Sequence, residues 1–365
     1  MAPKKSTKDG EKSILTPPSR RNTRSSNAMT ELPPLTQTEL QEVEAPLDNV
    51  QEQEIQVPPP TTLLIIVIKQ DVDLSLDRQA NMATADIISS EAFNIPPSNS
   101  FGQPFRLYDV ESVRRSSVEE FYRNNHINQT FSFALDMRDN YLRLNKKVMG
   151  IWECCELLNE VVDESDPDLE QPQIEHLLQT AEAIRKDFPQ EEWLHLTGLI
   201  HDLGKVLLHQ DFGGLPQWAV VGDTFPLGCA FDDTIVHSEF FKDNLDYHDP
   251  RFNTKNGIYT EGCGLDNLIM SWGHDEFMYQ VMKLNKSTLP PQAFFIIRYH
   301  SFYSLHNGGA YTRFMNDFDR EMMPWLHTFN KYDLYSKSNV LLDVEKVKPY
   351  YLSLIAKYFP KTIHW

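Results

Sequence analysis

The sequence predicts a mostly α-helical protein, because its apolar residues have helical spacing and two signs of other fold classes are absent. Apolar residues recur at three- and four-residue intervals, as in VEEFYRNNHINQTFSFALDMRDNYLRLN from residue 118 and VMGIWECCELLNEVV from residue 148. The sequence shows no alternation of strands with helices and no Gly-rich phosphate loop. Extended structure remains open only for short segments such as QWAVVGDTF at 217–225. We therefore predict an all-α fold, a helical bundle.

The first hundred residues differ in composition from the rest of the chain. MAPKKSTKDGEKSILTPPSRRNTRSS is basic, Ser/Thr-rich and almost without large apolar residues, and residues 31–60 are rich in Gln, Glu and Pro. Such segments cannot bury enough apolar surface to offset the entropy lost on folding. We therefore expect residues 1–100 to be a disordered N-terminal extension and residues 101–365 to form one helical catalytic domain.

Charge, cysteine usage and hydropathy exclude several kinds of partner and compartment. The formal net charge of −18 argues against nucleic acid as a partner. None of the four cysteines forms a CxxC pair, and the adjacent Cys154 and Cys155 fit a helix better than a disulfide framework, so we expect a reducing compartment. The longest apolar run, LLIIVI at 63–68, is too short to span a membrane. We expect a cytoplasmic monomer, although two short basic clusters in the first 24 residues leave a nuclear or organellar address open.

One apolar stretch, LTGLIHDLGKVLLH at 196–209, carries His201, Asp202 and Lys205 among leucines, isoleucine and valines. Charged side chains are almost never fully buried unless they are paired. A metal ion would satisfy the histidine and the aspartate at the same time. This stretch therefore predicts a metal site inside the helical domain.

Three further histidines occur in apolar helical segments. His176 lies in IEHLLQTAEAIRK, His274 in MSWGHDEFMYQVMK and His300 in AFFIIRYHSFY, and the spacing turns each ring toward the interior. Imidazole and carboxylate ligands without thiolate suit iron, manganese or zinc. With His201 and Asp202 they exceed one tetrahedral site, so we expect two metal ions bridged by Asp202. A polar core satisfied by hydrogen bonds is the alternative. The remaining histidines are interpreted as structural: His126, His195, His209, His237, His248, His306, His327 and His364.

The spacing of these residues resembles the HD-domain superfamily, an all-helical fold that includes many metal-dependent phosphohydrolases. Several longer motifs, in the same order along the chain, are similar to the myo-inositol oxygenase family. They are DESDPD at 163–168, QTAEAIRK at 179–186, WLHLTGLIHDLGKV at 193–206, PQWAVVGDTFPLGC at 216–229, MSWGHDEFMYQVMK at 270–283, IRYHSFY at 297–303 and FNKYDLYSK at 329–337. The resemblance runs from about Phe105 to Trp365 and leaves the first hundred residues uncovered.

The resemblance implies an oxygenase of inositol catabolism that cleaves the ring of myo-inositol with O2 to give D-glucuronate and water. It implies a mixed-valent pair of iron ions as cofactor. Carried over by motif, one iron takes His176, His201 and Asp333, the other takes His274 and His300, and Asp202 bridges them. Asp333 comes from the resemblance alone, since KYDLY has the pattern of an ordinary amphipathic turn.

The resemblance also implies a set of substrate contacts, with Lys205 and Asp202 as the catalytic residues. The contacts are Arg106, Asp163, Glu164, Ser165, Lys205, Gly222, Asp223, His300, Ser301 and Lys337. Inositol is an uncharged ring of hydroxyl groups, so its recognition requires many directional hydrogen bonds. The charge of Lys205 would stabilise a developing oxyanion, whereas without the resemblance a lysine that snorkels to solvent would be the simpler interpretation.

Two other functions remain open at this point. An HD-domain phosphohydrolase could use a similar metal cluster to activate water. Its substrate phosphate would favour several Arg and Lys side chains near the metals, but Lys205 and Lys337 stand among acidic and neutral groups. A scaffold with purely structural metals would have lost one or more ligands, and none is lost.

Overall fold

The computed structural model describes residues 115–163, 172–338 and 340–365. The predicted N-terminal extension, together with Arg106, Glu164 and Ser165 of the predicted substrate contacts, lies outside the described residues.

Within the described ranges, ten α-helices and four two-residue strands are joined by short 3₁₀ turns and loops. The helices are α1 (Arg115–Asn128), α2 (Phe131–Tyr141), α3 (Ile151–Leu157), α4 (Gln173–Asp187), α5 (Glu192–Ile200), α6 (His274–Leu284), α7 (Pro291–Tyr299), α8 (Tyr303–His306), α9 (Asp317–Tyr335) and α10 (Val344–Tyr358). Strand β1 (Val148–Met149) pairs antiparallel with β4 (Ile363–His364), and β2 (Pro226–Leu227) with β3 (Ile269–Met270). The all-α prediction is confirmed.

Helix α5 lies in the centre of the domain. Every residue from Leu194 to Ile200 is buried, and a helix that is buried on all sides must be covered by other elements. It contacts α4, α7 and α10, while α9 contacts both α4 and α7. Gly198 permits the close approach of α4, because a Cβ atom there would lie 2.9 Å from the Cα atom of Ala181. These helices bring their ends together at one place in the core.

Two predicted helical stretches are interrupted in the structure. The first breaks at Gln129, because the Thr130 side chain accepts a hydrogen bond from the Phe133 amide and begins α2 as a separate helix. The other is LTGLIHDLGKVLLH at 196–209, in which the α-helix ends at Ile200 and a 3₁₀ segment follows over Leu203–Leu208. The extended alternative for 217–225 is wrong at its start, since Gln217–Ala219 is a 3₁₀ turn and β2 begins only at Pro226. In the part of the chain that the structure describes, no helix is long and apolar enough to cross a membrane.

His126 of α1 is a buried core histidine, in agreement with its structural interpretation. Its Nε2 lies 2.7 Å from the Val236 carbonyl oxygen, and its ring stacks on Phe241 with 4.1 Å between centroids. Burial in this apolar position lowers the pKa of His126 from 6.5 to about 4. The folded state therefore favours the neutral ring.

We predict that His126 makes the domain less stable in mild acid. Below pH 6.5 the unfolded chain binds a proton that the folded chain takes up only near pH 4, so the free energy of unfolding falls over this window. The loss between pH 7 and pH 5 should be about 2 kcal/mol from this residue. Denaturant unfolding at both pH values should show a drop that is smaller by this amount in His126→Gln. An equal drop in both proteins would contradict the assignment.

Candidate metal centre

Helix ends bring together the six side chains that the sequence and the resemblance nominated as ligands. His201 and Asp202 follow α5, His300 follows α7, and His274 is the first residue of α6. His176 lies in the first half of α4, and Asp333 lies in the last turn of α9. The prediction that the histidines lie inside helices therefore needs correction: three of the four stand at a helix end.

Backbone carbonyls orient three of the imidazole rings. The Nδ1 atom lies 2.8 Å from the Gly198 oxygen in His201, 3.0 Å from the Ile297 oxygen in His300 and 2.8 Å from the Val220 oxygen in His274. A carbonyl oxygen only accepts, so each Nδ1 carries the hydrogen and each neutral ring presents the lone pair of Nε2.

His201 and His300 use the same local device. Each ring turns back onto the carbonyl three residues earlier, one of the acceptors that the end of an α-helix leaves without a helical partner. Among the described residues, neither His201 Nε2 nor His300 Nε2 has a hydrogen-bond partner. Two buried ring nitrogens with free lone pairs fit metal ligands.

The carboxylate of Asp202 lies between two pairs of histidines. Its Oδ2 is 3.5 Å from His176 Nε2 and 3.3 Å from His201 Nε2, while its Oδ1 is 3.4 Å from His274 Nε2 and 3.6 Å from His300 Nε2. Ligand atoms about 2.1 Å from a shared metal and at right angles to each other lie about 3 Å apart. Each oxygen of Asp202 thus faces a separate set of donors with suitable spacing for one metal ion.

Asp333 completes the first of these two sets. Its Oδ1 lies 3.2 Å from His176 Nε2 and 3.3 Å from His201 Nε2. The groups that could hold a metal ion include His176 with His201 and Asp333, and His201 with Asp202 and His300. The donor set is imidazole and carboxylate, which suits iron among the transition metals.

Burial favours the uncharged forms of the histidines and aspartates in this cluster. The contacts between them favour the charged forms. Burial alone would lower the pKa of His201, but the carboxylates of Asp202 and Asp333 raise it to about 10. Burial alone would raise the pKa of Asp202, yet His201 and Lys205 hold it well below its usual range. Such a cluster requires positive charge close to its carboxylates, and a metal ion that displaced the ring protons would supply that charge.

Lys205 lies against the metal-binding groups and away from solvent. In a 3₁₀ helix, residues three apart eclipse each other, so Lys205 falls directly over Asp202. Its Nζ lies 2.7 Å from Asp202 Oδ2 and 2.7 Å from Asp163 Oδ2, and the residue is only 7% exposed. The alternative of a snorkelling lysine is therefore wrong.

Other predicted substrate contacts lie beside the second histidine pair. Ser301 Oγ is 3.3 Å from His274 Nε2, and the Ser301 carbonyl accepts a hydrogen bond from the Thr224 amide at 2.9 Å. This bond ties the segment of Gly222 and Asp223 to the site. Gly222 has a φ of +89°, which favours glycine, and the Tyr122 hydroxyl donates to Asp223 Oδ1 at 3.2 Å. Lys337 is half-buried after α9.

Sequence reasoning missed one carboxylate of the cluster, Asp275. It is 1% exposed, and its Oδ1 lies 2.7 Å from His274 Nε2 and 3.3 Å from His300 Nε2. His274, Asp275 and His300 form a third group that could hold a metal ion. The sequence contained a clue, because GHDE at 273–276 repeats the His-Asp doublet of 201–202.

The histidines interpreted as structural stay apart from the cluster. In the described ranges none of them belongs to a group that could hold a metal ion. His195 bonds to the Tyr350 hydroxyl and the Phe188 carbonyl oxygen, and His306 Nε2 lies 3.0 Å from the His300 oxygen. His306 thereby supports the backbone of a candidate ligand without itself facing the metal position.

Fold and site together define an all-helical protein with a buried candidate metal centre in which one aspartate joins two sets of donors. A family model described as Myo-inositol oxygenase matches residues 115–365. The chain is 65% identical to Inositol oxygenase 4 of Arabidopsis thaliana over 293 residues, which cover 80% of this chain and 92% of that protein. It is 66% identical to a probable inositol oxygenase of Oryza sativa (77% and 91% covered) and 49% identical to the inositol oxygenase of Mus musculus (67% and 85% covered). The chain belongs to the myo-inositol oxygenase family.

We predict that Gly204→Ala disrupts the metal centre without touching a ligand. Gly204 packs the turn of Asp202 against α6, and a Cβ atom there would lie 2.0 Å from the His274 carbonyl oxygen. The turn and α6 must separate, which moves Asp202 away from His274 and costs roughly 2–3 kcal/mol of unfolding free energy. Metal analysis should show less iron per chain than in the wild type, and thermal melts should show lower stability.

Gly262→Ala is the matched control for this substitution. Gly262 has a φ of +69°, but a Cβ atom there would meet nothing within 4 Å. The control should lose about 1 kcal/mol through backbone strain and keep its iron. Wild-type iron content in Gly204→Ala would contradict the role assigned to this contact.

Proposed function

We propose that the chain cleaves the ring of myo-inositol with O2 to give D-glucuronate and water, at a mixed-valent pair of iron ions. His176, His201 and Asp333 would hold one iron, His274 and His300 the other, and Asp202 would bridge them. The observation that carries this proposal is the position of Asp202, whose two oxygens face two separate pairs of histidines. Membership of the family supplies the reaction.

The iron pair, when bound, would activate O2 and lower the pKa of coordinated substrate hydroxyl groups. The protein's own contribution is to orient the ligands and keep water out. Carbonyl contacts on Nδ1 fix three rings, and the cluster lies in the buried core where electrostatic interactions are strong. The C-terminal ends of α5 and α7 also favour positive charge at this place, through the helix dipole.

Polar groups around the candidate metal centre support recognition of an uncharged polyol. Asp163, Lys205, Asp223 and Ser301 offer both donors and acceptors, and Gly222 precedes Asp223 in the segment that the Thr224 amide ties to Ser301. We propose these residues as substrate contacts, with His300 and Lys337. Arg106, Glu164 and Ser165 stay in this set on the resemblance alone.

We propose Lys205 as the group that stabilises negative charge on a substrate oxygen. Its ammonium group is held between the carboxylates of Asp163 and Asp202, each 2.7 Å away. This position keeps the cation next to the bridging ligand, where an alkoxide would develop during the reaction. Asp163 then serves to position Lys205 and to accept hydrogen bonds from the substrate.

The phosphohydrolase alternative is not favoured by this arrangement. A phosphate group would require several cationic side chains beside the metals, but among the ion pairs of the described residues only that of Lys205 with Asp202 joins an Arg or Lys side chain to a proposed ligand. All six proposed ligands are present, which also argues against a scaffold with structural metals. We further propose a cytoplasmic monomer, in keeping with the four free cysteines of the described region.

The proposed reaction predicts a fixed ratio of products to oxygen. The purified chain, loaded anaerobically with iron and given a reductant, should consume one O2 for each D-glucuronate formed from myo-inositol. Oxygen uptake and glucuronate should be measured in the same sample, with nucleotides as control substrates. Release of phosphate from nucleotides without oxygen uptake would replace this proposal by the hydrolase.

The two iron positions should respond differently to loss of their ligands. His274→Ala removes one of two histidines at its iron, so about one iron should remain per chain and turnover should be abolished. Asp202→Ala removes a ligand of both ions and the anion between them, so it should lose more iron and more thermal stability. Metal analysis and thermal melts of both variants test this order. Full iron occupancy in Asp202→Ala would show that this aspartate does not bridge.

A further inference from the structure

We infer that Asp275 is a ligand of the second metal ion in the substrate-free protein, at the position formed by His274 and His300. This inference rests on the proposed function and adds a seventh protein ligand to the centre. It would give each metal ion two histidines, one aspartate of its own and a share of Asp202.

The distances around Asp275 match a shared metal ion. Its Oδ1 lies 2.7 Å from His274 Nε2 and 3.3 Å from His300 Nε2. The first set shows the same arrangement, with Asp333 Oδ1 at 3.2 Å from His176 Nε2 and 3.3 Å from His201 Nε2. Asp275 thus has the same geometric relation to His274 and His300 that Asp333 has to His176 and His201.

The tautomers of His274 and His300 exclude a hydrogen bond from either neutral ring to the Asp275 carboxylate. His274 Nδ1 faces the Val220 oxygen and His300 Nδ1 faces the Ile297 oxygen, so the Nε2 atoms of the neutral rings have no hydrogen to donate. A carboxylate oxygen 2.7 Å from such a lone pair is repelled unless positive charge lies beside both atoms, either as a second ring proton on Nε2 or as a metal ion. A metal ion bound to both atoms meets this requirement, and its coordination leaves the Nδ1 contacts intact.

The charge of Asp275 needs compensation at this point. The residue is 1% exposed, and the ion pairs that the structure describes for it are those with His274 and His300. Both rings are neutral when their Nε2 atoms bind a metal ion. A buried carboxylate is costly without a cation, so a metal ion bound to both rings would supply the counter-charge.

The other side of the carboxylate is fixed by hydrogen bonds. The Ser301 amide donates to Oδ2 at 3.1 Å, the Ser301 hydroxyl donates to Oδ1 at 3.2 Å, and the Thr224 hydroxyl lies 3.5 Å from Oδ2. These donors come from the segments that carry the proposed substrate contacts. A substrate whose oxygen atoms bind the same metal ion would compete with the Asp275 carboxylate for a coordination position on that ion.

Iron retention in the absence of substrate tests this inference. Wild type and Asp275→Asn are loaded anaerobically with ferrous iron and titrated with a chelator of divalent iron, and iron per chain is measured. The wild type should hold two ions. Asp275→Asn should lose one of them at a chelator concentration at least roughly 10-fold lower, because an amide is a weaker and uncharged ligand. Addition of myo-inositol should bring the variant back toward two ions.

Two control variants separate coordination from structural effects. Asp319→Asn changes another buried aspartate, which accepts hydrogen bonds from the Leu265 and Asn316 amides at the opposite end of α9 from Asp333, and it should retain iron like the wild type. Ser301→Ala removes a donor to Asp275 but leaves the carboxylate, so it should also keep two ions without substrate. Iron loss in Ser301→Ala equal to that in Asp275→Asn would show that Asp275 acts through the serine and would overturn the inference.

The remaining outcomes distinguish this inference from the proposed function. A wild type with two ions and an Asp275→Asn variant with unchanged retention would overturn the inference alone. A wild type that binds fewer than two ions would overturn the proposed di-iron centre and this inference with it. If Asp275→Asn does not fold, Asp275→Ser, which also lacks the carboxylate, is judged by the same criterion.

Discussion

The central constraint on this fold is the burial of Asp202 among four histidines. A buried carboxylate is costly unless positive charge lies beside it, and here each of its oxygens faces two imidazole nitrogens while Lys205 pairs with Oδ2. The apolar helices around it can close only if this cluster is neutralised. Packing of the core and metal binding therefore depend on the same few atoms, because the groups that would bind metal also set the free-energy cost of burying this cluster.

The ends of helices offer backbone carbonyls that can orient a histidine ring, whereas the carbonyls in the middle of a helix are already bonded. The last carbonyls of a helix lack partners, and in α5 and α7 a histidine just beyond the end satisfies one of them. The same contact selects the tautomer that leaves Nε2 free to bind a metal. Capping and ligand orientation are thus one interaction. The 3₁₀ turn after Asp202 adds the third element, since it brings Lys205 over the carboxylate.

The sequence alone could predict the helices and the inward faces of His176, His201, His274 and His300, because burial follows apolar spacing. It could not place the helix ends, since the contacts that terminate α5 and α7 involve side chains turning back on carbonyls. Asp333 lies in a segment with ordinary amphipathic spacing, so only its resemblance to a family pointed to it. Asp275 was overlooked because adjacent helical residues normally point in different directions, yet in the first turn of α6 both side chains reach the cluster.

The carbonyl contacts of the three oriented rings have a consequence for which ion occupies the centre. These contacts are made between protein atoms, so the tautomer and the orientation of each ring do not depend on which divalent ion binds. Imidazole and carboxylate donors in fixed orientations can bind any divalent ion of suitable size, so their orientation does not exclude a competing ion. Zinc binds such donors at least as tightly as ferrous iron in the general order of divalent affinities. Discrimination between them therefore falls to the supply of ions while the protein is made and folds.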